Sequence, residues 1–241
     1  MRPFVLFDLG GTLVDLRGIV SSMSRHLQLD LGISAYEADG LGRDWARRTA
    51  ERLPAAQGRR FRPERDLAAD ALAEVLKGRA VSFDAGRLVG AAWADFADTC
   101  TLHDDVSRDW IRSLRSRSAG LALVTDGDTE AVTLLLGRLG LRPLFDATIV
   151  SEKVRAYKPS PKIYRAAMKA LKASPRESVF VSDSPLDLEG AAALGLSTAL
   201  IDRGLFYDDA SASTQFPRLS RLTDLEAVLD RRAAAGRFER P

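Results

Sequence analysis

The stretch Phe4-Val5-Leu6-Phe7-Asp8-Leu9-Gly10-Gly11-Thr12-Leu13 decides the fold. Its four leading apolar residues form a continuous run with no polar alternation, stopped by Asp8 and the Gly10-Gly11 pair. That pattern predicts a short strand over Phe4 to Leu9 that is buried on both faces. Such a strand belongs in a parallel sheet. Similar runs recur at Leu121 to Thr125, Ala147 to Val150, Ser178 to Ser182 and Ser197 to Ile201, with helical stretches between them. Strands alternating with helices imply right-handed crossovers and an α/β fold, with an open parallel sheet covered on both faces.

Between Asp15 and about Leu102 the alternation stops, and every periodic segment is helical. Ile19, Met23 and Leu27 repeat at i+4, as do Leu41 and Trp45. Leu67, Ala71, Leu72, Val75 and Leu76 trace one helical face, and Leu88, Ala92, Trp93 and Phe96 trace another. The third helix is expected to stop at Gly78, and Arg52 to Arg62, with Pro54 and Gly58, reads as a loop. The expected organisation is a core of residues 1–14 and 103–241 interrupted by a helical module of residues 15–102, long enough to be a small bundle. Leu222 to Ala235 reads as an amphipathic helix and Gly236 to Pro241 as a frayed tail.

Composition narrows the class of protein. Of 241 residues 46% are apolar and 28% charged, and 35 basic against 33 acidic residues leave a net charge of +2, so bulk charge points to no nucleic-acid partner. Cys100 is the single cysteine, which excludes an intramolecular disulfide and a thiolate metal cluster. No window approaches 18 uninterrupted apolar residues, and the N-terminal apolar run is too short for a secretion signal. A cytoplasmic protein without a membrane partner is the expectation.

Residues just beyond the carboxyl ends of parallel strands are the natural ligand contacts in such a sheet. Here they are Asp8, Gly10, Gly11 and Thr12 after the first strand, Thr125, Asp126 and Gly127 after the second, and Asp183 and Asp187 after the fourth. Lys158 precedes the helix that leads into the fourth strand. Carboxylates crowded on one edge repel unless a divalent cation offsets them, and hard oxygen ligands suit Mg²⁺. Ser160 and Pro161 form a good N-cap and first-turn pair that fixes where the Lys158 loop ends.

Four motifs in this order resemble the haloacid dehalogenase superfamily. They are Asp8-Leu9-Gly10-Gly11-Thr12-Leu13, Thr125-Asp126-Gly127, Lys158-Pro159-Ser160-Pro161 and Asp183-Ser184-Pro185-Leu186-Asp187. The inserted helices resemble the cap of the phosphoglycolate phosphatase and 2-haloacid dehalogenase branches. The resemblance implies a Rossmann-like three-layer core and an Mg²⁺-dependent hydrolase acting on a small phosphorylated molecule. Asp8 would be the nucleophile that becomes an aspartyl phosphate. The metal would be held by Asp8, the backbone carbonyl of Gly10 and Asp183, with Asp187 either in the metal sphere or orienting Lys158. Thr125, Asp126, Gly127 and the amides that follow would contact the phosphoryl oxygens, and Lys158 would neutralise charge on nucleophile and phosphoryl group.

Two departures from the family pattern stand out. Asp126 replaces the more usual Asn, and Gly10 replaces the second Asp, which serves the phosphatases as acid and base. Positioned acids and bases contribute about 10² to 10⁴ in rate, and glycine supplies neither. The chain therefore acts on a substrate with a good leaving group, takes its proton from a cap residue, expels a halide, or binds without turnover. A 2-haloacid dehalogenase-like hydrolase and a non-catalytic binding protein are the alternatives. Arg43, Arg47, Arg59 and Arg60 are cap residues able to reach an anionic substrate group, though a solvated helix face explains them equally well. His26 and His103 read as ordinary cap and linker residues, either of which could be recruited as an acid.

Overall fold

The computed structural model describes residues 2–203 and 215–235. Its centre is a six-stranded, all-parallel sheet of order β3-β2-β1-β4-β5-β6, with β1 Phe4–Phe7, β2 Gly120–Thr125, β3 Ala147–Val150, β4 Ser178–Ser182, β5 Ser197–Ile201 and β6 Arg218–Leu219. The five expected strands are present. The sixth is two residues long, too short to leave a period in the sequence. The first strand ends at Phe7 rather than Leu9, because the Leu9 carbonyl turns inward to accept the amides of Leu13 and Val14.

Side chains of β1 and its neighbours alternate between two apolar layers, as a pleated strand requires. Val5, Phe7, Val179 and Val181 face one layer with Trp110, Ile111 and Leu114 of α5 (Arg108–Arg117) and Val132, Leu135 and Leu136 of α6 (Thr129–Arg138). Leu6, Val124, Phe180 and Leu200 face the other with Ile163, Tyr164 and Ala167 of α8 (Pro161–Leu171) and Leu188 of α9 (Pro185–Ala192). As the sequence suggested, α8 opens on Ser160 as N-cap with Pro161 in the first turn. The C-terminal segment begins with a 3₁₀ turn, Leu222–Asp224, and continues as α10, Leu225–Ala235. The expected tail from residue 236 lies outside the described residues.

The insertion folds as four helices, α1 (Arg17–Leu31), α2 (Ala35–Arg52), α3 (Glu64–Val75) and α4 (Ala85–Thr99). They enclose a separate core around Met23, Leu27, Trp45, Leu72, Leu88 and Ala92. The indole N–H of Trp45 donates to the carbonyl of Ala68 at 2.8 Å, so this large buried ring leaves no orphaned donor. Residues 53–60, read as loop, contain two 3₁₀ turns, Leu53–Ala55 and Gly58–Arg60.

A small apolar cluster of Ala56, Phe61, Leu67 and Tyr157 joins the insertion to the sheet layers. Phe61 stacks on Tyr157 with ring centroids 5.1 Å apart, the Tyr157 hydroxyl donates to the Arg62 carbonyl at 2.9 Å, and Gln57 donates to the Tyr157 carbonyl at 2.9 Å. Asp128 makes the most specific tie. It stands at the N-cap of α6 without capping that helix. Its carboxylate instead accepts the amides of Glu64 at 3.0 Å and Arg65 at 2.9 Å, capping α3 from the other side of the junction. The α6 amide of Thr129 is satisfied in turn by Glu152 at 2.8 Å.

Two amides of α3 thus depend on one buried side chain. Asp128→Ala is expected to lower the free energy of unfolding by about 1–2 kcal/mol, as for loss of a strong N-cap. Asp128→Asn, which keeps one acceptor oxygen, should lose less. Urea denaturation of the two variants checks this, and equal stability of Asp128→Ala and wild type would remove the tie.

Candidate active site

The strand order determines what meets Asp8. β1 is central, with β2 on one side and β4 on the other, and Phe7 is in register with Leu123 and Val181. The carboxyl ends of all three strands therefore open at one level, and the crossovers leave β1 in opposite directions. This is the crevice where open α/β sheets bind ligands. Asp8 and Asp183 follow β1 and β4, Thr125 is the last residue of β2, and all three are buried.

Asp8 and Lys158 form an ion pair at 2.5 Å, and the other face of the ammonium meets Asp187 at 2.8 Å. Asp187 is thus turned towards the lysine. Thr12 links the two acids that flank β1. Its hydroxyl lies 3.0 Å from the Asp183 carboxylate and 3.3 Å from that of Asp8, and it accepts the Asp183 amide at 3.0 Å. Gly11 makes this approach possible. It has φ of +79°, and a Cβ there would sit 2.3 Å from an Asp183 carboxylate oxygen, so only glycine fits. The loop is pinned from behind by His103, whose Nε2 is 3.1 Å from the Gly11 carbonyl, and by Arg203, which donates to the Thr12 carbonyl at 3.0 Å. Burial, helped by the charge of Arg203, holds the His103 imidazole below its usual pKa, so it acts as a neutral donor to that carbonyl.

The Lys158 loop is held by the second motif. Asp126 accepts the Lys158 amide at 3.1 Å, and the peptide bond from Lys158 to Pro159 is cis. Asp126 is therefore a loop brace, a role the extra charge relative to Asn had obscured. Gly190 of α9 lets that helix lie against the same loop, since a Cβ there would meet the Pro159 carbonyl at 2.6 Å. Thr125 donates to the Asp126 carbonyl at 3.0 Å. Two amides expected to face a phosphoryl group are already engaged, Gly127 with the Ser151 hydroxyl at 3.0 Å and Thr129 with Glu152. The cause is a short helix, α7 (Ser151–Val154), that follows β3 and presents both side chains to the loop.

The charge balance is unusual for a buried site. Burial works against the ammonium of Lys158, but Asp187, Asp8 and Asp126 outweigh it and hold the lysine firmly protonated. Burial raises the Asp8 pKa, opposed by Lys158. Asp183 is pushed up to about 8 by burial and then by the charge of Asp8, and burial raises Asp126 well above the usual carboxylate range. Four carboxyl groups face one lysine, an excess of negative charge that a divalent cation would offset. Among the described residues no three acidic, histidine or cysteine side chains form a ready ligand set. What the crevice offers is the Asp8 and Asp183 carboxylates and the Gly10 carbonyl, which accepts no hydrogen bond among the described residues. Few protein oxygens and room for water suit Mg²⁺ better than a cation that needs a full protein cage.

A cavity of about 1030 Å³ opens between this crevice and the inserted helices, with Leu16, Ile19, Trp93 and Phe96 on its apolar side. Arg43 and Arg47 line it, but they are engaged with Asp39 and with Asp44 and Glu51. Arg59, Arg60 and His26 do not line it, and neither does His103. Three residues near the site were not legible in advance. Arg203, paired with Asp105 at 2.9 Å, and Ser151 carry no motif, and Glu64, which lines the cavity at the start of α3, looks like any acid in a first helical turn.

Comparisons with known proteins fit this arrangement. The chain is 32% identical over 124 residues to haloacetate dehalogenase H-2 of Moraxella sp. (strain B), covering 50% of this chain and 55% of that protein. It is equally 32% identical over 120 residues to a phosphoserine phosphatase of Thermus thermophilus, covering 49% and 47%. These matches span about half the length of the curated relatives. The crystal structure of the L-2-haloacid dehalogenase from Xanthobacter autotrophicus superposes with a TM-score of 0.76 at 22% identity, over 95% of this chain and 99% of that one, a likeness of fold. The sequence profile of haloacid dehalogenase-like hydrolases matches residues 4–195, and with four motifs assembled on one sheet edge the chain belongs to that family of hydrolases.

Proposed function

We propose that the chain is an Mg²⁺-dependent phosphatase that works through an aspartyl phosphate on Asp8. The observation that carries this reading is Asp183, a second buried carboxyl group linked to Asp8 through Thr12. A carboxylate displacing halide has no use for another acid beside it. That acid would repel a carboxylate substrate. A phosphatase uses the same group to hold a divalent cation. When bound by Asp8, Asp183 and the Gly10 carbonyl, Mg²⁺ would supply Lewis acidity and charge neutralisation at the phosphoryl oxygens.

The residues present account for the remaining work. An Asp8 oxygen attacks phosphorus as the bond to the leaving oxygen breaks, giving an aspartyl phosphate that water then cleaves, restoring the carboxylate. Lys158, held by Asp187 and by the Asp126 brace, stays charged and lies against both the nucleophile and the incoming phosphoryl group. Phosphoserine phosphatase and a glyceraldehyde 3-phosphate phosphatase of Methanopyrus kandleri, 33% identical over 126 residues, are relatives consistent with this chemistry.

A second reading, 2-haloacid dehalogenation, is favoured by one observation. Gly10 offers no acid, and a side chain there would face Leu16 at 3.3 Å on the apolar side of the cavity. Halide departs without a proton, so this environment suits it. A panel of alkyl phosphates, aryl phosphates, acyl phosphates and 2-haloacids, assayed with Mg²⁺ and with EDTA, separates the two: metal-independent halide release with no phosphate release would replace the first reading.

Beryllofluoride with Mg²⁺ is expected to raise the melting temperature, because the pair mimics a phosphoryl group on Asp8. A ligand at a hundredfold excess over its Kd stabilises by roughly 2.7 kcal/mol. Asp8→Asn should abolish the shift, and an equal shift in that variant would count against a covalent role for Asp8. The two buried charges should also separate by readout. Calorimetry should show Asp183→Asn weakening Mg²⁺ affinity about tenfold or more, whereas Lys158→Ala should lower kcat by about 10² to 10³ with a smaller effect on metal affinity. Unchanged Mg²⁺ binding in Asp183→Asn would remove Asp183 from the metal site.

A further inference from the structure

We propose that Glu64, carried by the inserted helices, is the proton donor and acceptor that Gly10 cannot be. The proposal rests on the phosphatase reading. An in-line displacement on Asp8 puts the leaving oxygen on the face of phosphorus away from the sheet, the face that the inserted helices cover. Glu64 lines that same cavity together with Asp8, Thr125 and Lys158. Its carboxylate lies against the second motif, 3.5 Å from where a Cβ on Gly127 would stand. Its backbone is fixed at the start of α3, because its amide is bound by Asp128, so the side chain springs from a helix rather than from a loop.

Elimination among the acids of the cavity leads to the same residue. Asp39, Asp44 and Glu51 are neutralised by Arg43 and Arg47. Asp126 and Asp128 accept backbone amides. Asp8, Asp183 and Asp187 are bound to Thr12 or Lys158. The Glu64 carboxylate has no hydrogen-bond donor and no ion pair among the described residues. The neighbouring cation, Arg65, is drawn to Glu152 at 3.3 Å and Asp128 at 3.6 Å. The remaining groups that face Glu64 are Asp128 from the start of α6 and Tyr157 from the Lys158 loop, whose hydroxyl donates to the Arg62 carbonyl. Burial, then the charge of Asp128, raises the Glu64 pKa to about 7, so at neutral pH it is present in both forms.

The proton count closes over two steps. As the Asp8 oxygen bonds to phosphorus and the phosphorus bond to the leaving oxygen breaks, the Glu64 carboxyl gives its proton to that oxygen and an alcohol departs. In the second step water attacks phosphorus, its proton passes to the Glu64 carboxylate, and the Asp8 carboxylate is released with inorganic phosphate. An aryl or acyl leaving group departs without such help.

The test measures alcohol release in the first turnover for alkyl and aryl phosphates. Glu64→Gln should lose about 10²-fold or more on alkyl esters and much less on aryl esters, steepening the dependence on leaving-group pKa. A general acid works protonated, so alkyl turnover by the wild type should fall as pH rises through about 7, and that limb should vanish in Glu64→Gln and return in Glu64→Asp. Gly10→Asp has room, since only the flexible Leu16 side chain stands within reach and the backbone is not left-handed. In the Glu64→Gln background it should restore alkyl turnover. Thermal melts of each variant confirm folding. Equal losses on both ester series, or a pH limb that survives Glu64→Gln, would overturn the role of Glu64 while leaving the phosphatase reading intact. Failure of the wild type to hydrolyse any phosphate ester would overturn both.

Discussion

The ammonium of Lys158 lies between the carboxylates of Asp8 and Asp187, and the geometry of the crevice hangs on it. A buried ion pair of this kind gives little net stability, because removing the charges from water costs about as much as their attraction returns. What it gives is position. The lysine fixes Asp8, Asp187 fixes the lysine, and Asp126 fixes the lysine's backbone from the loop after the neighbouring strand. Each of the four motifs contributes one member. Loss of Lys158 would leave the buried carboxylates of Asp8 and Asp187 uncompensated, which is a far larger penalty than the intact network's net worth.

The first loop imposes a second constraint. Gly11 must be glycine for two independent reasons, its left-handed backbone and the 2.3 Å approach that any Cβ would make to Asp183. Gly10 carries neither restriction. Its substitution relative to the family pattern is thus a change of chemistry rather than a demand of the backbone. On the phosphatase reading proposed above, the site keeps the groups that would handle phosphoryl charge and lacks an acid at position 10, which moves the question of proton transfer to the cavity wall built by the inserted helices.

Those helices are tied to the sheet by reciprocal capping. Asp128 heads one helix and caps another, and Glu152 takes over the amide Asp128 leaves free. The second motif is therefore shared by the crevice and the junction. Tyr157, next to Lys158, has the same double membership through Phe61 and Arg62.

The local code was enough to identify the five longer strands, the helical character of the insertion, the strand-end positions of Asp8, Thr125 and Asp183, and the place of Lys158 just before α8. Burial on both faces leaves a continuous apolar run, and helix packing leaves a period near 3.6, and both are properties of neighbouring residues. The Ser160-Pro161 start of α8 was legible for the same reason, since capping acts within one turn. The tertiary structure alone decided which groups face each other. Nothing in the chain near Asp128 says that its carboxylate serves a helix 64 residues earlier, or that Ser151 and Glu152 occupy the amides after Asp126. The desolvation that sets the Glu64 and Asp183 pKa values is likewise a sum over atoms brought together by the fold, and a residue's own sequence neighbours carry almost none of it.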